Sequence, residues 1–347
     1  MDSTPSLRDL GWSPFLQSDL DPGALAAGEP MRVAAVHRTG VDALDAAGPR
    51  RLAPGPLAVG EIAVGDWLLA DRAAPRALAL LPRKSLLARR AAGTGAELQL
   101  VAANVDTLLV VTSCNADFNV ARLERYLALA RQSGVTPVVV LTRADACADP
   151  DLYVDRVREL SRALPVEAVN ALDPGAVARL EPWCGPGETV ALVGSSGVGK
   201  STLAGALTGS TLATAAIRED DARGRHTTTA RSLRRTRAGG WLIDTPGMRA
   251  LRLADAAEGV AAVFGDLGAL ARGCRFADCA HDGEPGCAVR AAIDAGRLDP
   301  ARLARWRKLE REEARNSATL AESRRAERGF SRMARRAMAD KARRRGD

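Results

Sequence analysis

The sequence predicts a multidomain chain: an N-terminal β-barrel, a central α/β domain with a parallel sheet, and a C-terminal, mostly helical domain around a metal-type cysteine cluster. Three observations predict it. Short β-like runs separated by turn clusters fill residues 31 to about 90; buried strands alternate with helical stretches after about residue 96; and three cysteines and a histidine fall between Cys274 and Cys287.

At 347 residues and 46% hydrophobic, the chain can bury two or three cores, and with only 3% aromatic residues these must be built from Ala, Leu and Val. A mean hydropathy of -0.10 excludes a mostly disordered chain. No apolar run nears the roughly 18 residues of a membrane span, so no membrane partner is expected. The start, MDSTPSLRDLGWSP, lacks the basic and apolar regions of a secretory leader, and a cytoplasmic, reducing setting is expected. Charge is concentrated at one end: residues 301–347 hold 16 Lys+Arg against 7 Asp+Glu, whereas residues 1–300 are nearly neutral. That surplus suits contact with a phosphate backbone, or else marks a solvated helix with a frayed end. Only four lysines stand among 49 basic residues, which draws notice to Lys200.

Residues 1–30, rich in Pro, Gly and Asp, read as a loose segment. Within 31–95, MRVAAV, VDALD, GDWLLAD and RALALLP are strands divided by AAGPRRLAPGP and similar turns, a spacing that suits an RNA-binding OB-fold barrel. Arg83, Lys84, Arg89 and Arg90 line a nucleic-acid face or simply keep an edge soluble. Residues 96–255 form the α/β domain, with strands at 106–113, 136–142, 165–169, 188–194 and 241–245 and helices at 120–132, 153–163 and from Lys200. In the metal-type domain, 256–315, Asp299 and Pro300 open a helix as N-cap and first residue. Residues 316–347 are the basic tail. Cys114, Cys147 and Cys184 are scattered and read as packing residues.

Gly194-Ser195-Ser196-Gly197-Val198-Gly199-Lys200-Ser201-Thr202 follows a buried strand and opens a helix, the context a phosphate-binding loop requires. Backbone amides receive phosphate oxygens, Lys200 reaches the β and γ phosphates, and Ser201 ligates magnesium. The same string suits an ATPase, so the base must be decided elsewhere. Strand 241–245 ends in Asp244-Thr-Pro-Gly247, where Asp244 holds Mg2+ through water and the Gly247 amide senses a γ-phosphate: a GTPase switch. Between them, Gly224-Arg-His-Thr-Thr-Thr229 offers Thr227, Thr228 or Thr229 to the magnesium.

Thr142-Arg143-Ala144-Asp145 places a carboxylate for the guanine N1–H and amine beside a long side chain to cover the ring; a plain strand-to-helix turn is its other reading. Asn170-Ala171 fits the loop whose backbone meets the guanine oxygen. These base-reading segments precede the phosphate loop, the reverse of ordinary GTPases, so the domain reads as a P-loop GTPase with circular permutation, binding GTP and GDP with Mg2+. Met248 stands where many GTPases carry a water-orienting Gln. That leaves His226 as the candidate catalytic group beside Lys200 and Asp244, or else a group that points to solvent or RNA. An ATP-driven machine and an RNA-binding module with a structural nucleotide site are the competing readings. Cys274-x4-Cys279-x-His281-x5-Cys287 is the ligand set of a closed tetrahedral Zn2+ site, which is structural because no position stays open.

Taken together, GSSGVGKST, GRHTTT, DTPG, LPRKSLLARR, AANVD and CRFADCAHDGEPGCAV resemble the RsgA (YjeQ) family of circularly permuted GTPases that depend on the small ribosomal subunit, over residues 31–315. The resemblance implies an OB-fold, a GTPase and a zinc domain in that order. It also implies late maturation of the 30S subunit as the role, 16S rRNA as a contact, and hydrolysis stimulated by that particle. A monomer is expected. Two positions depart from the family pattern: Arg143 stands where Lys is usual, and Asn170 where Ser is usual.

Overall fold

The computed structural model describes residues 5–18, 20, 22–90, 98–210, 231–244 and 256–317. The chain divides into two compact units, Met1–Ala88 with Leu100–Leu251, and Arg89–Gln99 with Arg252–Asp347. Among the described residues no helix is long and apolar enough to cross a membrane.

The first unit starts with a packed segment rather than a loose one. Before and around the short helices α1 (Pro14–Ser18) and α2 (Pro22–Ala27), Leu10 and Leu16 are buried, and Trp12 meets Trp67 edge-on at 4.9 Å. Two apolar anchors and a Trp outweigh the polar composition around them. Five antiparallel strands follow: β1 (Gly28–His37), β2 (Gly40–Asp45), β3 (Gly48–Leu52), β4 (Trp67–Asp71) and β5 (Ala77–Leu80), in spatial order β3-β2-β1-β4-β5. A parallel bridge, Ala53 to Arg76, joins the two outer strands around a core of Met31, Val33, Val41, Leu52 and Leu68. The strand β3 occupies part of the stretch that composition assigns to a turn. Its Arg50 and Arg51 face outward to Glu29 and Asp42 at 2.5 and 2.9 Å, and only Leu52 is buried, so hydropathy carries no trace of it.

After the ribbon β6 (Leu86–Arg90) and β7 (Leu98–Ala103) comes the α/β sheet. Its elements are β8 (Thr107–Ser113), α3 (Val120–Gln132), β9 (Thr136–Thr142), α4 (Asp151–Arg158), β10 (Val166–Val169), α5 (Pro174–Ala178), β11 (Thr189–Gly194), α6 (Lys200–Thr208), β12 (Ser232–Arg235) and β13 (Trp241–Asp244). The order is β10-β9-β8-β11-β13-β12, parallel except for β12, and β12 pairs with β1 at Ser232 and Ala35 to make one 11-stranded sheet. Residues along β8 and β11 are buried throughout, as strands covered on both faces must be. Arg83 and Lys84 are consumed inside this unit. Arg83 pairs with the buried Asp66 at 2.7 Å and Lys84 with Asp106, so neither serves as a free surface cation. Beside them the buried Arg32 donates to Thr189 Oγ1 at 2.7 Å and to the Leu10 carbonyl; burial, against the pull of Asp106 and Asp66, brings its pKa down to about 10.

The second unit contains α7 (Ala257–Val263), α8 (Gly265–Ala271), α9 (Ala288–Asp294) and α10 (300–317). Asp299 caps α10 as expected, its carboxylate accepting from the Ala301 amide at 2.8 Å. From α10, Arg302 grips both oxygens of Asp266 at 2.8 and 2.9 Å and lies 5.0 Å over the Phe264 ring. His226, Thr227, Thr228, Thr229, Gly247, Met248 and the tail beyond residue 317 lie outside the described residues.

Candidate nucleotide site and metal site

Parallel strands deliver their carboxyl ends to one edge, and the predicted segments meet there. Register pairs Gly194 with Val111, Ser113 with Thr142, and Thr142 with Val169, so the phosphate loop after β11 and the segments Thr142–Asp145 and Asn170–Ala171 after β9 and β10 follow strand ends along one edge of a single sheet, with β8 between β11 and β9. Asp244 ends β13, beside β11, with its carboxylate 4.0 Å from Arg234.

The phosphate loop takes its shape from its glycines. Gly194, Gly197 and Gly199 have φ of +149°, +79° and +88°, and a Cβ on Gly194 would run into the Val111 carbonyl. This turn aims the start of α6 at the loop, leaves Ser201 exposed and Thr202 half-buried, and buries Val198 beneath. Lys200 Nζ donates to the Ser195 carbonyl and so spans the loop from its far side. Ser196 is exposed at the rim.

Thr142 ties the turn after β9 to the phosphate-type loop. Its buried hydroxyl lies 2.7 Å from the Val198 carbonyl, to which it donates, and 3.1 Å from that of Thr112. Arg143 takes the left-handed conformation, φ +58°, and donates to the Gly197 carbonyl at 2.8 Å. The side chain expected over a base ring therefore rests on the phosphate loop, because the tight turn after β9 directs it there. Asp145 is exposed in a single 3-10 turn with Ala144. Asn170 turns its own loop, its side-chain oxygen accepting from the Leu172 amide at 2.9 Å. Behind Ala171, Ser201 and Thr202 a cavity of about 510 Å³ runs between α5 and α6. One contact had no signal in the sequence: Arg122, in the first turn of α3, donates to Ser195 Oγ.

Cys114 and Cys184 are buried, and burial pushes their thiols up to about 11 and about 12, as inert packing residues require.

In the second unit, Cys274, Cys279, His281 and Cys287 bring one ligand atom each to within 4.8 Å of one another. His281 Nδ1 is 3.6 Å from Cys274 Sγ and 3.5 Å from Cys287 Sγ, and those two sulfurs are 3.9 Å apart. Zinc–sulfur bonds of about 2.3 Å and a zinc–nitrogen bond of about 2.0 Å give tetrahedral edges of about 3.5–3.8 Å, so Cys274, His281 and Cys287 stand close to the spacing of three ligands on one metal, with Cys279 within 4.8 Å as the fourth candidate. Burial, then the Arg307 guanidinium, holds His281 below its usual pKa and favours the neutral imidazole a metal needs. Burial raises the Cys274 thiol, but the amides of Val289 and Ala288, with smaller help from the neighbouring thiols, bring it below its ordinary value. The loop is braced from both ends. Glu284 accepts from the amides of Ala280, Asp282 and Gly283; its own amide first, and then these three, hold its pKa at about 2, and Trp306 of α10 stacks on the His281 ring at 5.8 Å.

Comparisons with known proteins agree with this geometry. A family model described as RsgA GTPase matches residues 80–254. The chain is 52% identical to the small ribosomal subunit biogenesis GTPase RsgA of Mesorhizobium japonicum, covering 91% of this chain and 92% of that one. It is 48% identical to RsgA 2 of Vibrio vulnificus over 97% and 96%. Among solved structures, YjeQ from Thermotoga maritima matches with a TM-score of 0.59 at 25% identity, over 81% of this chain and 96% of the other. The permuted order of strands, the phosphate loop at the end of β11 and the similarity along nearly the whole chain lead to one conclusion: this protein belongs to the RsgA GTPase family.

Proposed function

We propose that the chain is a GTP hydrolase that binds the small (30S) ribosomal subunit, contacts its 16S rRNA, and assists its late maturation in the cytoplasm as a monomer. One observation carries the reading. The segments suited to reading a base and to binding phosphate, in permuted chain order, stand at strand ends along the same edge of one sheet, in a chain that shares about half its residues with proteins named for small-subunit biogenesis. Asp145 accepts from guanine N1–H and the amine, with Thr142, Ala144 and Ala171 shaping the base end. Gly194 to Thr202 cradle the phosphates, and Lys200 neutralises the β and γ groups. Ser201 and Asp244 would hold Mg2+, which supplies charge neutralisation when bound. Beyond the described residues, Thr227 or Thr228 completes that magnesium shell, Gly247 reads the γ-phosphate, and His226 orients water.

The five-stranded order β3-β2-β1-β4-β5, with its outer strands bridged, supports an OB-type barrel as the RNA-facing domain. The Cys3His geometry supports one structural Zn2+. The domains then run 31–95, 96–255 and 256–315, with the basic tail, 316–347, adding phosphate-backbone affinity.

Phosphate release from GTP, with and without 30S subunits, tests the proposal. Slow release alone and strong stimulation by the subunit are expected, with Lys200→Ala losing nucleotide affinity and rate together. Equal single-turnover rates with and without subunits would overturn it.

A further inference from the structure

We propose that Arg122 is a catalytic residue: its guanidinium meets the terminal phosphate of bound GTP and stabilises the charge that builds there during hydrolysis. This rests on the GTPase reading and deepens it. Two cationic side chains from distant parts of the chain converge on one residue of the phosphate loop, Lys200 on the Ser195 carbonyl and Arg122 on the Ser195 hydroxyl. The lysine of such a loop reaches the β and γ phosphates. The residue beneath its ammonium therefore marks the terminal-phosphate end of the cradle, while the amides at the start of α6 serve the inner phosphates.

Arg122 is carried to that end by rigid structure. It lies in the first turn of α3, where Asn119 caps the helix by accepting from the Arg122 amide at 3.0 Å, and β8, just before α3, is hydrogen-bonded directly to β11. Its side chain is exposed and pairs with no carboxylate among the described residues, so its charge is not already neutralised. Arg143 does not duplicate the role, because its guanidinium is held by the Gly197 carbonyl farther along the loop.

In hydrolysis the water oxygen bonds to the γ-phosphorus as the bond from that phosphorus to the β–γ bridging oxygen breaks. GDP keeps the electron pair, and the proton of the water ends on the released phosphate. Charge grows on the γ and bridging oxygens in between, and a guanidinium offers paired N–H donors to such oxygens. With Met248 in place of a water-orienting side chain, charge stabilisation of this kind carries more of the acceleration.

The full-length chain with Arg122→Ala or Arg122→Lys tests the assignment. GDP affinity, the tightening of GDP binding by aluminium fluoride, and single-turnover GTP hydrolysis with 30S subunits are measured side by side. For Arg122→Ala, GDP affinity stays within about twofold, the aluminium fluoride effect is lost, and hydrolysis slows about 10²–10³-fold. Arg122→Lys recovers part of the rate. Parental hydrolysis in Arg122→Ala overturns the proposal, and so does an equal loss of GDP and GTP affinity, which would make Arg122 a prop for the shape of the loop. An unsubstituted chain that neither binds GDP nor hydrolyses GTP overturns the nucleotide reading itself.

Discussion

The phosphate loop and the Cys3His loop are both tight turns that lead into a helix, and they are held in place by opposite means. In the first, shape comes from the backbone: three glycines with positive φ, a carbonyl bound by Thr142, and strands on either side that are buried throughout. In the second, short helices offer little apolar area, and the turn is gathered by four metal-type side chains with Glu284, Trp306 and Arg307 bracing them. A loop that must admit and release a ligand is built on a sheet that is stable without it. A loop gathered by metal-type side chains can entrust its stability to the ion it would hold, since binding of a structural metal is folding free energy.

The largest effect should come from disabling the Cys3His set as a metal site. Chelation, or Cys279→Ala with Cys287→Ala, should abolish slow amide exchange at Leu267, Val289 and Leu303 and leave Leu109 and Val140 protected. Survival of the C-terminal protection would show that both loops rest on their scaffolds alike. Next in size, Thr142→Val removes a buried donor and strands the Val198 carbonyl, at a cost of about 1–3 kcal/mol. Denaturant midpoint and GDP affinity should fall together; a fall in stability alone would confine Thr142 to the fold. The smallest effect is expected at Asp266. Its burial raises the carboxyl pKa, but the paired N–H groups of Arg302 lower it further, for a net shift downward. A folded pKa below the unfolded one means stabilisation that is present above about pH 4 and fades as pH drops through the folded value. Asp266→Asn should therefore cost under about 1 kcal/mol near neutrality and nothing measurable in acid, as read from Tm across pH.

The sequence made the two loops legible to different depths. The bounds of α3 and β9 match their patterns because TPVVVLT and VARLERYLALARQ show unbroken periodicity, and the phosphate loop and the Cys3His set are local in sequence. The strands β3, β6, β7 and β12 went unread; β3 and β12 bury one side chain each, so pairing and not hydropathy defines them. Arg143 was read as a base cover and found on Gly197, and Arg122 on Ser195 was not foreseen at all. Both contacts span more than 50 residues, so they depend on strand order, which no local pattern contains.

The packed N-terminal segment has a practical bearing. Asp9 receives the Trp241 indole N–H through its carbonyl at 2.7 Å, and Leu10 receives the Arg32 guanidinium. A chain trimmed to begin at Met31, where the first readable strand invites a cut, would uncover the Trp67 ring and leave a buried guanidinium short of an acceptor. It would also loosen the indole at the root of the strand that ends in Asp244. Purification tags and fusion partners are therefore safer added ahead of residue 5 than substituted for the residues after it.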